Sequence, residues 1–304
     1  MLARLYKWTT KPTEDNAYEH LFNFKGGKEY TAMRYHLMSL GEEVELDMTI
    51  MEIMCILNNM DKNNEKFIYT TCCVPPLFMH SILERYGPSY INAKTGLPHD
   101  ISTMEDMDPL RYIDTNKLKS APYVFAPVLF AKHWWLYVLD VDNKKFYALD
   151  SLNAKSPSSD RNKIGRFASS VLDQIRVRAG ATTMFPNKTR AVVSFSLLLR
   201  YIPVPRQPNA FDCGVYVLRY MEYVNPVMLG QKKFNVPIWI EAELQQFREK
   251  YVEHILYHGE NYYRHKAIKA SNSDTRQLKP STALQSPYTQ LNTADLESGK
   301  SDAS

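Results

Sequence analysis

The stretch Arg206-Gln207-Pro208-Asn209-Ala210-Phe211-Asp212-Cys213-Gly214-Val215-Tyr216-Val217 constrains this chain more than any other. A cysteine opens an apolar helical run, Val215 to Val224, and a glutamine stands six positions ahead of it behind a proline-containing loop. The first N–H groups of a helix are unpaired, and the positive end of the dipole favours thiolate over thiol. Gly214 removes a side chain beside the sulfur, so a substrate backbone can approach. A buried cysteine at a helix start has the same local pattern. The nucleophile reading therefore requires a base elsewhere in the chain.

Among eight histidines, His133 stands out. Lys132-His133-Trp134-Trp135-Leu136-Tyr137-Val138-Leu139-Asp140 has the pattern of a strand. A polar turn follows, then a second strand, Lys145-Phe146-Tyr147-Ala148-Leu149-Asp150-Ser151. His133 opens one strand and Asp150 closes its partner, so in an antiparallel pair the imidazole and carboxylate can meet. Asp150 is preferred to Asp140 and Asp142 because it ends the partner strand. There it orients the imidazole and fixes its tautomer while the imidazole takes the thiol proton. The alternative for each residue alone is a surface histidine at a strand end and an aspartate capping a turn.

Taken together, His133-Trp134, Leu149-Asp150-Ser151, Gln207 and Asp212-Cys213-Gly214 resemble the four-part signature of the Ulp and sentrin-specific protease family, with a divergent, plant-like member in view. The order His, Asp, Gln, Cys, the Gln-to-Cys gap of six and the tryptophan directly after the histidine all match. The resemblance covers residues 120 to 225 well and the rest loosely. It implies an α+β fold, a mixed central sheet flanked by helices in the papain-like arrangement of the Ulp type. It implies a cysteine peptidase that cuts the peptide or isopeptide bond after the C-terminal Gly-Gly of a ubiquitin-like modifier such as SUMO, without a cofactor. By the same resemblance His133 is the base, Asp150 its orienter, Cys213 the nucleophile and Gln207 an oxyanion-hole donor. Trp134 is implied as one face of a clamp on the thin Gly-Gly tail. The family's second clamping tryptophan has no counterpart, since Val44, Glu45 and Leu46 occupy that neighbourhood. A same-fold acyltransferase and a non-catalytic ubiquitin-like-binding module are the rival readings. The first would need a cofactor site, and the second has no use for all four residues.

The rest of the chain is consistent with one large domain and tails. At 304 residues and 44% hydrophobic it can bury a substantial core, and a net charge of +4 lacks the clustered Lys and Arg of a nucleic-acid footprint. Four cysteines without a paired framework point to a reducing compartment, nucleus or cytoplasm. No apolar run reaches the ~18 residues of a membrane helix, and a monomer is expected. Asp47 reads as an N-cap for an apolar helix over 48–57, Phe67 to Thr70 as a strand, and Pro75-Pro76 as the opening of a helix. Residues 122–150 hold three strands, Ser158-Ser159-Asp160 caps a helix, 200–204 is a further strand, and Pro237 starts a long helix. On that last helix His254 and His258 are spaced as in a zinc site, but the glutamate expected after the first is Ile255, so no metal is expected. The expected boundaries are an N-terminal segment 1–37, a catalytic domain 38–262 and a Ser/Thr-rich tail 263–304 too polar to order itself.

Overall fold

Apolar strand-forming runs between residues 123 and 149, buried on both faces, build the centre of the protein. The computed structural model describes residues 2–11, 16–25, 30–60, 71–86, 89–101, 110, 113–152, 158–184, 199–224, 228–229 and 236–272. These fall into two compact units, Met51–Leu244 and a second formed by the segment before it and the segment after it.

In the larger unit the strands are β3 (Thr71–Cys73), β4 (Tyr123–Phe130), β5 (His133–Asp140), β6 (Lys145–Leu149) and β7 (Leu199–Ile202). They form one sheet in that spatial order. The inner three strands are antiparallel, and β3 and β7 add in parallel at the edges, so the sheet is mixed. Alternation gives it two apolar faces. Val124, Ala126, Val128, Trp135, Tyr137, Leu139, Phe146 and Ala148 share a core with α4 (Pro76–Tyr86) and α6 (Ser159–Arg178). Trp134, Leu136 and Val138 alternate with the β5 members of that set, and α7 (Cys213–Tyr223) packs along β5. This is the expected α+β arrangement of helices around a mixed sheet.

Most helix starts follow local chemistry. Asp47 Oδ1 accepts from Thr49 N–H at 2.7 Å at the start of α3 (Met48–Met60), and Ile50 through Leu57 are all buried, as an all-round apolar helix requires. Ser158 caps α6 by accepting from Arg161 N–H at 3.2 Å. Pro76 is the first residue of α4. The long helix α8 (Glu241–Tyr257) begins four residues after Pro237, because Glu243 reaches back to accept from Ile240 N–H at 3.0 Å and sets the start there. The short helix α5 (Thr115–Ser120) is capped by Asp114, whose Oδ1 accepts from Asn116 and Lys117 N–H. The strand expected over Phe67–Thr70 lies outside the described residues.

The other unit contains α1 (Leu2–Thr10), a hairpin of β1 (His20–Asn23) and β2 (Thr31–Met33), α2 (Arg34–Leu37) and α9 (Arg264–Asn272). Buried polar groups hold it together. Arg34 is fully buried; it donates to Trp8 O and Glu19 Oε2, both at 2.5 Å, and lies over the Trp8 ring. Arg248 donates to the carbonyls of Ser39, Gly41 and Val44 at 2.9–3.0 Å. Asn261 Nδ2 donates to Leu21 O and Leu256 O. Among the described residues, regular structure before residue 38 comprises α1, β1, β2 and α2, and α9 runs through Asn272 with Ala267 and Ala270 buried. No helix among the described residues is long and apolar enough to cross a membrane.

Candidate active site

A two-residue turn delivers the histidine. Phe130 pairs with His133, and the residues between them, Ala131 and Lys132, have φ of 50° and 57°. Two left-handed residues in a two-residue hairpin turn match the twist of the strands they join. Neither is glycine or asparagine, so each costs roughly 1–2 kcal/mol. The cost is borne by one of the most extensively paired ladders in the sheet, and it holds His133 at the very start of β5.

The β5–β6 register places Leu149 beside Leu136, so Asp150 falls level with Trp135 and His133 reaches it diagonally. His133 Nε2 lies 2.8 Å from Asp150 Oδ1. A carboxylate only accepts, so Nε2 carries a proton, and whenever the ring is neutral its lone pair lies on Nδ1. Among the described residues Nδ1 is buried and has no hydrogen-bond partner. The imidazole is thus oriented at one nitrogen and free to take a proton at the other. Asp140, at the far end of the hairpin, instead binds Asn143 through its backbone and side-chain N–H groups.

Asp150 is almost fully buried. Its Oδ1 also accepts from Leu152 N–H at 3.0 Å, and its Oδ2 is held by the guanidinium of Arg161. Burial pushes the carboxyl up, but the hydrogen bond from His133, the charges of Arg161 and His133 and the Leu152 N–H together outweigh it, so Asp150 is held below its usual range.

The glutamine is locked from both ends. Gln207 N–H donates to Ser151 O at 3.1 Å, Ser151 Oγ donates to Gln207 Oε1, and Gln207 Nε2 donates to Asn209 O at 2.6 Å. These partners fix which end of the amide is which and leave one N–H of Nε2 without an acceptor among the described residues. Asn209 then closes the loop: its Oδ1 accepts from Phe211 N–H and Asp212 N–H, and its Nδ2 donates to Asp212 Oδ2 at 2.7 Å. Cys213 follows as the first residue of α7, buried, on the helix that packs along the strand His133 opens. The other cysteines are in different surroundings. Burial pushes the Cys55 and Cys72 thiols up, which disfavours the thiolate.

Trp135 lies in the core face, with Arg161 over its ring at 4.2 Å and the His133 ring 6.1 Å away at 28°. Trp134 points to the other face and is buried as well. In the smaller unit, Leu46 is buried and Val44 half-buried. His254 and His258 meet ring to ring at 5.5 Å, and no cluster of three possible metal ligands occurs among the described residues. The sequence reading missed the residues that hold the site in place. Ser151 and Asn209 were visible only as neighbours of the quoted motifs, and Arg161 carried no signal beyond its position one turn into a capped helix.

The model of the Ulp1 protease family, C-terminal catalytic domain, matches residues 48–259. The chain belongs to that family. Among curated proteins, this Ulp1-family chain is 24% identical over 106 residues to Ubiquitin-like-specific protease 1A of Arabidopsis thaliana, an alignment covering 35% of this chain and 19% of the relative. The chain thus spans about a fifth of that relative's length. Among solved structures it resembles the C-terminal Ulp1 protease domain in complex with Smt3, the yeast ortholog of SUMO. That match has 18% identity, 84% of this chain and 93% of the other covered, and a TM-score of 0.50. The Chaetomium thermophilum Ulp1-like SUMO protease catalytic domain matches at 17% identity, covering 84% and 88%, with a TM-score of 0.49. At such identities the structural likeness concerns the fold.

Proposed function

We propose that this chain is a cysteine peptidase that hydrolyses the peptide or isopeptide bond after the C-terminal Gly-Gly of a ubiquitin-like modifier of the SUMO type. The observation that carries the reading is the imidazole of His133, held by Asp150 at Nε2 and without a partner among the described residues at Nδ1. Family membership and the helix-opening Cys213 support it. In the first step the Cys213 sulfur attacks the glycine carbonyl carbon while its proton passes to His133 Nδ1. The tetrahedral oxyanion takes hydrogen bonds from the second Nε2 N–H of Gln207 and from the Cys213 backbone N–H. Collapse expels the amine, which leaves with the proton from His133, and a thioester remains. Water then attacks the thioester, giving its proton to His133, and the carboxylate departs as Cys213 is regenerated. Trp134 lines the path of the Gly-Gly tail. No cofactor takes part. The protein acts as a monomer in a reducing compartment, nucleus or cytoplasm, in keeping with four cysteines that are all outside disulfides.

The test is a panel of ubiquitin-like proteins ending in Gly-Gly-fluorophore. At least one member should release its fluorophore with the native protein, and Cys213→Ser should release none while its circular dichroism is unchanged. Substitutions of Cys55, Cys72 or Cys73 should leave turnover in place. Binding without release from any member would refute a peptidase in favour of a binding module. Release that occurs only with an added amine acceptor would favour an acyltransferase.

A further inference from the structure

We infer that Arg161 is a positioning residue of this site: its guanidinium, laid on the ring of Trp135, holds Asp150 Oδ2 and so keeps Asp150 ionised and its other oxygen turned to His133. The inference rests on the proposed peptidase reading and adds to it a residue outside the four-part motif.

The geometry is built from three elements. Asp150 directly follows β6, His133 opens β5, and Arg161 stands in the first turn of α6, where Ser158 caps the helix. Gly165, one turn further on, allows the helix to lie close to the sheet. A Cβ there would stand 2.6 Å from Leu199 Cδ2 and 3.2 Å from the Tyr137 hydroxyl. That close approach brings the Arg161 guanidinium to 4.2 Å from the Trp135 ring centroid and onto Asp150 Oδ2. The two carboxylate oxygens are divided: Oδ1 takes His133 Nε2 and Leu152 N–H, and Oδ2 takes Arg161. The carboxylate has no other orientation that keeps these partners, so the plane in which it meets the imidazole is fixed.

The charge matters as much as the direction. A carboxylate this deeply buried would protonate well above its ordinary range without compensation. The groups facing it are His133 from β5, Arg161 from α6, and the phenols of Tyr137 on β5, Tyr201 on β7 and Tyr220 on α7. Burial pushes all three phenols up, Tyr201 to about 12, so they are neutral at working pH. Arg161 is therefore the only permanent cation among these groups. An arginine suits the place because its flat guanidinium can stack on an indole and still donate in its own plane.

The experiment compares native protein with Arg161→Lys, Arg161→Gln and Arg161→Ala, with two readouts against pH. One is kcat/KM on whichever Gly-Gly substrate the native enzyme cleaves. The other is the rate of iodoacetamide alkylation of Cys213, read by mass spectrometry of its peptide, which needs no substrate and stands even if the peptidase reading fails. Loss of the cation should move the acid limb of both profiles up by about 1 pH unit in Gln and Ala. The loosened carboxylate should lower kcat roughly ten- to a hundredfold with KM little changed. Lys should keep the acid limb near that of the native protein and recover part of kcat. Thermal melting of each variant separates these effects from loss of fold. The inference is overturned if the Gln and Ala variants keep both acid limbs in place, or if Lys moves them as far as Ala does.

Discussion

Glu52 offers a measurement of how burial and hydrogen bonding compete in this fold. Its side chain is buried on α3, and among the described residues Oε2 accepts a single hydrogen bond, from Leu77 N–H in the first turn of α4, at 3.0 Å. A charge-assisted hydrogen bond contributes about 1.5–3 kcal/mol. Taking an unpaired carboxylate out of water costs several kcal/mol. Burial wins, and the carboxyl is pushed up to about 7 from an ordinary 4.5. At about 1.4 kcal/mol per pH unit, the folded state's stronger hold on the proton amounts to roughly 3 kcal/mol. Because the folded value is the higher one, this stability is fully present below about 4.5 and is lost as pH rises through about 7. Glu52→Gln keeps the shape and an acceptor for Leu77 N–H but never ionises. It should therefore match the native protein near pH 5 and exceed it at pH 8 by up to about 3 kcal/mol. Urea unfolding at half-unit pH steps between 5 and 8 measures the difference. A gap that does not change with pH, or a Gln variant that is the weaker protein at pH 8, would refute the reasoning.

Two further outcomes follow from the geometry. Gln207→Ala should lower kcat by roughly 10²–10³ with a smaller change in KM, because the amide meets the oxyanion and not the ground-state carbonyl, and steady-state kinetics on a cleaved panel member reads both. Arg248→Met should lower the unfolding midpoint strongly, since it leaves the carbonyls of Ser39, Gly41 and Val44 without their donor at roughly 1–3 kcal/mol each, measured by denaturant titration at constant pH.

The sequence was most legible where periodicity and caps agree. The hairpin strands are continuous apolar runs around a polar turn, Asp47 and Ser158 cap the helices they precede, and Pro76 opens α4, so the hairpin and these helices could be placed from the sequence. The candidate site residues could be named from the sequence because they stand at strand and helix ends, where a sequence pattern marks them. What was not legible depends on contacts across long separations. Arg34 with Trp8 and Glu19, Arg248 with the carbonyls after α2, and Asn261 with Leu21 organise the smaller unit, and none leaves a periodic trace. Arg161 was hidden for the same reason. A charged residue on the first turn of a helix reads as solvent-facing, and only the packing of α6 on the sheet turns it inward. The start of α8 was misplaced because a proline can open a helix, while a glutamate reaching back three residues sets this one.

The Asp140–Lys145 turn works as a ruler. The diagonal meeting of His133 and Asp150 depends on the number of residues between them, and the far end of that count is pinned by Asn143 on Asp140 and by Lys144 at φ 50°. Adding or removing one residue in that partly exposed tip would slide β6 by one step against β5 and carry the carboxylate to the opposite side of the sheet. The tip is seven residues along the strand from the imidazole, more than 20 Å at the rise of an extended chain. It looks like an ordinary place to graft a tag or accept an insertion, yet its length sets the meeting of His133 and Asp150 as firmly as either side chain does.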